Sequence, residues 1–354
     1  MVRGDNLPTV IFTFDLAGPN LLAKAQRAST PVPAWSYFLL WAPSCERMGQ
    51  LLMGFIIDFL PTRWQMVEGG AAFLYPGRGV SPFMSKRLLP LRRYDMPVLF
   101  GPSNVPDQSF VPDAAACVLS FRTSPDAARA LVPDYFTVAE DPVVTVAHMA
   151  YHDVDYLGGR SYNEIVVSVT ARHGEGEERI DAAFAPLLWV DQVGALIAGR
   201  EYMGLAKLSG IIPDLEREGA RARFCCREYD ALLLEAEVDD LAPLSADKLA
   251  AVNDRAGQVR TFGWKYMSAP GGGADIDYPT VNVMRWNYKN GWSGSGSLRF
   301  HTPAYRDAPM SSLAMAVLAE LPQLSSPRVF LGTGEAVIDR TATRRLDKPD
   351  GSEA

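Results

Sequence analysis

A succession of short β-rich segments between Cys117 and His301 constrains the fold of this 354-residue chain more than any other feature. Valine, leucine and aromatic residues dominate the segments, and glycine, proline, aspartate or charged turns separate them. The segments are CVLSF, VVTVAHMAYHDV, NEIVVSVTARH, AAFAPLLWV, RARFCCREY, ALLLEAEV, VNVMRWNY and SGSLRFH. One clear helix pattern, SPDAARALVP, interrupts them. Many strands with few helices predict an α+β, mostly β fold: a closed antiparallel β-barrel or double sheet with flanking helices.

The first 90 residues differ from the rest of the chain in their pattern of apolar residues and prolines. Proline breaks alternate there with long apolar runs, which predicts a partly helical extension over residues 1–90. Its most apolar run, Leu51–Leu60, is broken by Asp58 and is shorter than the ~20 residues of a membrane helix, so it predicts a core helix or a docking surface. The main domain is expected over residues 91–340, and the polar residues 341–354 are expected to form a flexible tail.

Composition and charge exclude several classes of protein. The net charge is -7 with a pI of about 5.3, and the absence of a basic stripe argues against a nucleic-acid partner. The four cysteines form neither a CxxC pair nor a disulfide framework, and the four histidines lack metal-ligand spacing, so no metal is expected. The N-terminus lacks the pattern of a secretory signal. A cytoplasmic protein with no membrane partner is therefore predicted.

A single lysine, Lys207, lies in the mostly small and apolar stretch GREYMGLAKLSGII. Burial disfavours the ammonium form of lysine, and a neutral amine can attack a carbonyl group to form a Schiff base. The alternative is a lysine whose aliphatic stem lies over apolar surface while its head reaches water. The spacing alone leaves both interpretations open.

Other candidate residues also have two interpretations. Glu164 begins a strand-like run, where its carboxylate could orient an amine or move protons, or could be a solvated strand end. His148 and His152 share one face of a predicted strand, and packed or hydrogen-bonding histidines are favoured over metal ligands. The glycine-rich segments Pro270–Asp275 and Trp292–Phe300 fit no nucleotide-binding motif and predict hairpin loops.

Taken in order, several segments resemble the acetoacetate decarboxylase family from about Pro97 to Arg340. They are FRTSPDAARALVPDYF, MAYHD, SYNEIVVSV, AGREYMGLAKL and GWSGSGSLRF. The resemblance implies that Lys207 is the Schiff-base lysine and Glu164 the active-site glutamate. In acetoacetate decarboxylase itself, a hydrophobic pocket or a neighbouring cation activates the lysine. We interpret Arg200, Tyr162 and His148 as substrate-binding residues. The resemblance also implies a small-molecule keto substrate, no cofactor, since the lysine is the electron sink, and a homo-oligomer.

The chain departs from the family's pattern at three places. The second lysine expected after the nucleophile is Leu208, the second acidic residue is Ala147, and the arginine expected to meet a substrate carboxylate falls near Ala114 or Ala115. Loss of a bidentate arginine is not conservative.

These departures shape the predicted function. We predict a Schiff-base carbon–carbon lyase, decarboxylase-like, that acts on a β-keto acid or poly-carbonyl compound bulkier and more apolar than acetoacetate. Residues 1–90 could cap the pocket and keep it dry. The alternatives are an aldolase or dehydratase that uses the same lysine, and a non-catalytic ligand-binding barrel.

Overall fold

The structure is a computed structural model that describes residues 103–347 and four short strands nearer the N-terminus. The chain forms two compact units, Met1–Arg92 and Arg93–Ala354. In the first unit, β1 (Ile11–Phe14) pairs with β2 (Ala23–Gln26), and β3 (Gln65–Val67) pairs with β4 (Gly70–Ala72), both antiparallel. The helices predicted within residues 1–90 lie outside the described residues. The tail predicted over residues 341–354 is wrong at its start, because residues 341–345 belong to the strand Arg328–Arg345, and its part beyond residue 347 lies outside the described residues.

The second unit consists mainly of long strands. They are β5 (Gln108–Arg122), β6 (Thr137–Val138), β7 (Val143–Val154), β8 (Arg160–His173), β9 (Ile180–Val190), β10 (Lys207–Ser209), β11 (Glu216–Glu218), β12 (Arg221–Glu228), β13 (Ala231–Pro243), β14 (Val259–Ser268), β15 (Ala274–Phe300) and β16 (Arg328–Arg345). The described helices are α1 (Pro125–Arg129), α2 (Val193–Ala198), α3 (Ala246–Ala256) and α4 (Ser312–Ala319). A π-helical turn, Gly199–Met203, continues directly from α2. No described helix is both long and apolar enough to span a membrane.

The strands of the second unit form one mixed sheet. Its order is β10-β9-β8-β7-β5-β16-β15-β13-β12-β11, and β14 pairs with both β15 and β9. The hydrogen-bonded path from β9 through β8, β7, β5, β16, β15 and β14 therefore returns to β9. The described strand pairs are antiparallel except those of β9 with β10 and with β14. The predicted α+β, mostly β fold with flanking helices is confirmed.

Strand β15 differs from the sequence-based expectation. The segments VNVMRWNY and SGSLRFH belong to this one strand, and the prediction that Trp292–Phe300 is a hairpin loop is wrong. A Cβ atom at Gly296 would lie 2.6 Å from the carbonyl oxygen of Glu237, so glycine here permits close approach of β13 rather than a turn. The segment Pro270–Asp275 does contain the predicted turn between β14 and β15.

An apolar cluster surrounds the start of β10. Its buried members come from several strands and from the π-helical turn: Val166, Ala185, Leu188, Met203, Leu205 and Ile338. A larger cluster that includes Trp189, Phe121 and Phe262 forms the main core. Leu188 of β9 pairs directly with Lys207 of β10, so the lysine lies in apolar surroundings.

Buried His148 is expected to make stability depend on pH. Burial lowers the pKa of His148 below its ordinary value of 6.5, although the Pro213 carbonyl and the charge of Asp214 oppose this shift. Because the unfolded chain takes up this proton at a higher pH than the folded chain does, the free energy of unfolding should fall as pH drops below about 6.5. Urea unfolding at about pH 7.5 and about pH 5.5 measures this loss. His148→Gln should reduce the loss and His152→Gln should retain it; an undiminished loss in His148→Gln would contradict the assignment.

Candidate active site

Lys207 is buried at the first position of β10. Its residue is 5% exposed, and its backbone is held on both sides. The Lys207 amide donates to the Leu205 carbonyl at 2.8 Å, and the Arg200 Nη1 donates to the Lys207 carbonyl at 3.0 Å. The π-helical turn Gly199–Met203 ends before the lysine, and the chain is extended again at Lys207.

The π-helical turn before Lys207 is fixed to the sheet. The Met203 carbonyl accepts hydrogen bonds from Thr280 Oγ1 at 2.8 Å and from Asn282 Nδ2 at 3.0 Å. Gly204 then adopts a left-handed conformation with φ of 66°, and its carbonyl accepts from the Trp264 amide. Glycine adopts this conformation without the strain that a Cβ atom would add. The lysine is therefore presented by a rigid segment rather than by a loose loop.

The Lys207 ammonium donates to Glu164 Oε2 in a buried ion pair. Glu164 lies on β8, where it pairs with Met149 of β7 and with Val190 of β9, and its residue is 4% exposed. Taking both charges out of water is costly unless the two groups meet in good geometry. The burial of both side chains therefore excludes the two alternatives that the sequence left open, a lysine head in water and a solvated glutamate.

A cavity of about 20 Å³ lies against this ion pair. Its described lining includes the two members of the ion pair, three tyrosines, small residues of α2 and Arg340. The volume is enough for about one water molecule. A wider depression of about 680 Å³ between Tyr229, His301 and Arg306 is an open surface feature that does not reach Lys207 or Glu164.

The three tyrosines of the cavity are kept protonated by burial. Burial raises the pKa of Tyr151 and of Tyr162 well above the ordinary value. Burial also raises the pKa of Tyr156, although the charge of Arg340 and a hydrogen bond with Tyr162 lower it in part. The Lys207 Nζ lies 5.9 Å from the centre of the Tyr162 ring, within the range of a cation–π contact. The wall thus offers hydroxyl donors, but no phenolate base, at neutral pH.

The structure brings together three of the five residues that sequence interpretation selected. Lys207, Glu164 and Tyr162 share the cavity, whereas Arg200 and His148 are not among its described lining residues. Arg200 is exposed and holds the lysine backbone instead of facing the cavity. His148 points to the opposite face of β7, because its neighbour Met149 is the direct partner of Glu164 and successive side chains alternate. Its Nε2 lies 3.0 Å from the Pro213 carbonyl oxygen.

Among the tyrosines and charged residues that line the cavity, the sequence interpretation missed Tyr151, Tyr156 and Arg340. Arg340 lies in the run GEAVIDRT, where the buried Ala336 and Ile338 precede it at intervals of two. An arginine that continues the buried side of such an alternating pattern is a signal that could have identified it. Tyr156 lies in a short helical turn after β7, and the sequence carries no comparable signal for it.

A methyl group at Gly199 is expected to displace the lysine side chain. A Cβ atom there would lie 2.6 Å from both Cδ and Cε of Lys207 and 3.2 Å from its Nζ. Because the flexible lysine would give way, Gly199→Ala should leave the fold intact but lower activity about 100-fold, the usual effect of misplacing a reacting group by about 1 Å. Turnover of a keto substrate measures the loss. The control, Gly271→Ala, places its Cβ in open space and should match the unsubstituted protein; equal activity of the two variants would contradict the geometry.

The comparisons with known proteins agree with this architecture. The sequence profile of the family described as acetoacetate decarboxylase (ADC) matches residues 95–332. A structure of acetoacetate decarboxylase from Legionella pneumophila is similar with a TM-score of 0.54 and 18% identity, over 67% of this chain and 89% of that chain. Another acetoacetate decarboxylase structure gives a TM-score of 0.57 and 16% identity, over 75% of this chain and 96% of that chain.

An acetoacetate decarboxylase-like enzyme from Sphingomonas wittichii RW1 is similar to the same degree. Its TM-score is 0.52 at 19% identity, over 69% of this chain and 95% of that chain. No sequence among the curated proteins matches this chain. The structural likenesses establish the fold, and the profile spans more than half of the 354 residues. The chain therefore belongs to the acetoacetate decarboxylase family.

Proposed function

We propose that this protein is a carbon–carbon lyase in which Lys207 forms a Schiff base with a keto substrate. The observation that supports this most directly is the buried ion pair of Lys207 with Glu164 at the wall of a cavity. A buried ion pair is weak as a source of stability, since apolar side chains of similar size often do as well or better. A lysine held out of water beside a carboxylate is suited to nucleophilic attack on a carbonyl group.

The reaction begins with a proton transfer inside this pair. Glu164 takes a proton from the Lys207 ammonium, and the neutral amine attacks the carbonyl carbon of the substrate. Protonation of the former carbonyl oxygen allows it to leave as water, and an iminium ion remains on Nζ. Glu164 returns the proton for this step, and the centre of the Tyr162 ring lies 5.9 Å from Nζ.

The iminium then serves as the electron sink. In a β-keto acid, the bond between the α-carbon and the carboxylate breaks, CO₂ leaves, and the bonding electron pair moves toward the iminium nitrogen to give an enamine. The α-carbon takes up a proton, and water hydrolyses the new iminium to release the ketone and the free lysine. An aldolase or dehydratase would use the same iminium and enamine, and would differ in what the α-carbon loses or attacks.

The size of the cavity bears on the choice of substrate. A cavity of about 20 Å³ must widen for any keto compound, and a compact one needs less widening than the bulky substrate predicted from the missing arginine at Ala114 and Ala115. A bulky substrate would require α2 and the π-helical turn to move, since Ala195, Ala198 and Gly199 form part of the wall. The expected homo-oligomer and cytoplasmic location stay predictions.

Deuterium exchange into a simple ketone tests the proposed chemistry without assuming the fate of the carbon skeleton. An iminium with Lys207 would let the α-protons of acetone or 2-pentanone exchange with D₂O, and their proton NMR signals should fade faster with protein than in buffer. Analysis of a β-keto acid for CO₂ and ketone would then separate decarboxylation from aldol chemistry. Folded protein that promotes neither exchange nor consumption of any keto acid would favour the non-catalytic ligand-binding barrel.

A further inference from the structure

We propose that the Tyr151 hydroxyl donates a hydrogen bond to a second, uncharged oxygen of the keto substrate while Lys207 binds its carbonyl carbon. The preferred substrates are then hydroxy ketones or diketones. This inference rests on the proposed function and adds a residue that selects among keto compounds. Tyr151 lies on β7, its residue is 1% exposed, and it lines the cavity beside the ion pair of Lys207 with Glu164.

The Tyr151 hydroxyl has only weak hydrogen-bond acceptors among its described partners. It donates to Met149 Sδ at 3.2 Å, and Met284 Sδ lies 4.0 Å away. A thioether sulfur is a weak acceptor, whereas the hydroxyl of a buried tyrosine usually finds a good partner. The two other tyrosines of the cavity differ, because a hydrogen bond joins Tyr156 and Tyr162. Among the three, Tyr151 therefore gains most from an oxygen acceptor on a ligand.

Strand pairing directs this hydroxyl toward the reacting groups. Met149 pairs directly with Glu164 across β7 and β8, and Tyr151 is the next residue of β7 on the same face. Diagonal neighbours of this kind lie within reach of aromatic side chains. Because the hydroxyl donates to Met149, it leans along the strand toward the level of Glu164, which is paired with Lys207. A ligand held on Lys207 therefore lies near the Tyr151 hydroxyl.

The ring of Tyr151 is held in place, whereas a neighbouring side chain can adapt to a ligand. The ring centre lies 4.8 Å from that of Tyr162 and 5.8 Å from that of Trp286. Met284 is half-buried, lines the cavity and packs on two apolar clusters. Methionine has three rotatable bonds and fills irregular space. Displacement of the Met284 side chain would widen the cavity and replace a weak sulfur contact of the hydroxyl by an oxygen of the ligand.

The protonation state and surroundings of Tyr151 suit an uncharged acceptor. Burial raises the pKa of this hydroxyl well above its ordinary value of 10.0, and the charge of Glu164 raises it further, so the group is a donor at neutral pH. Its described hydrogen-bond and ring partners are methionines and aromatic residues, which supply no positive charge to offset an anion. A carbonyl or hydroxyl oxygen meets this donor without bringing a net charge into apolar surroundings.

Half-saturation concentrations for borohydride-trapped adducts test this role. Each hydroxy ketone has a matched ketone in which a methyl group replaces the hydroxyl: 4-hydroxy-2-butanone with 2-pentanone, and hydroxyacetone with 2-butanone. Tyr151→Phe keeps the ring and removes the hydroxyl. It should raise the half-saturation concentration of the better-bound hydroxy ketone about 3- to 10-fold and leave that of its matched ketone within about twofold. The control Tyr305→Phe, at an exposed tyrosine, should change neither value.

The outcomes separate this inference from the proposed function. Adducts whose half-saturation concentrations rise equally for both members of a pair, or do not change, would overturn the role of Tyr151 while leaving the Schiff base intact. If no ketone is trapped even by the unsubstituted protein, non-covalent binding of the same pairs is measured by ligand-observed NMR. Weaker binding of the hydroxy ketone alone in Tyr151→Phe would then support the hydrogen bond without Schiff-base chemistry. Binding that is absent, unchanged or weakened equally for both ketones would overturn it.

Discussion

Lys207→Met is expected to reduce the turnover of any keto substrate by roughly 1,000-fold or more, since loss of a nucleophile removes the whole covalent route. Methionine has nearly the length of lysine and suits the apolar surroundings of Val166, Leu188 and Leu205. Loss of activity would therefore reflect the missing amine rather than poor packing. The rate of substrate consumption measures the effect, and Lys248→Met, at an exposed lysine at the start of α3, is the matched control.

Lys207→Met should also lower the free energy of unfolding, and this second measurement helps to interpret the loss of activity. Removing one partner of a buried ion pair costs about 3–5 kcal/mol, because Glu164 would be left as a buried carboxylate without its cation. The double variant Lys207→Met with Glu164→Gln should recover much of this unfolding free energy in urea and none of the activity. A stable, active Lys207→Met protein would contradict both the ion pair and the mechanism.

Glu164→Gln is expected to lower turnover by about 100- to 10,000-fold, the usual range for loss of a group that transfers protons. Glutamine keeps the size and one oxygen acceptor of Glu164, but it cannot take the proton from Lys207. The variant would therefore lack the group that removes the ammonium proton and returns it to the departing oxygen. The control is Glu177→Gln, which makes the same change at an exposed position in the turn between β8 and β9.

The result for Glu164→Gln is judged on trapped adduct as well as on rate. Slower adduct formation on Lys207 with an unchanged final amount is the outcome expected for a proton-transfer role. A variant that traps ketone as fast as the unsubstituted protein would show that Glu164 only fixes the lysine side chain.

The strands were predictable from sequence because valine-rich, alternating runs are typical of a sheet with one buried face. The segments VVTVAHMAYHDV and NEIVVSVTARH became β7 and β8 with little change of bounds. The Gly-rich segment Trp292–Phe300 was misread because glycine is compatible both with a turn and with close approach of two strands. Only the register of β15 against β13 distinguishes these cases, and register is not a local property of sequence.

Site residues with a distinctive chemical character could be predicted from the sequence. Site residues whose position depends on strand pairing could not. Lys207 and Glu164 are charged residues beside apolar runs, and they meet as the sequence interpretation expected. The prediction that His148 binds substrate put this residue on the wrong face of β7. The correct face becomes clear only from the pairing of Met149 with Glu164. Arg340 was missed because its place in the cavity depends on pairing between β16 and distant strands.

Borohydride reduction in the presence of ketones detects a Schiff base on Lys207 itself. The protein is incubated with 2-pentanone and with 3-oxobutanoate, reduced, digested and analysed by peptide mass spectrometry. We expect one ketone-dependent mass increase on the peptide that contains Lys207, absent in Lys207→Met and present in Lys248→Met. Folded protein with no adduct on Lys207, or with label spread over exposed lysines, would contradict it.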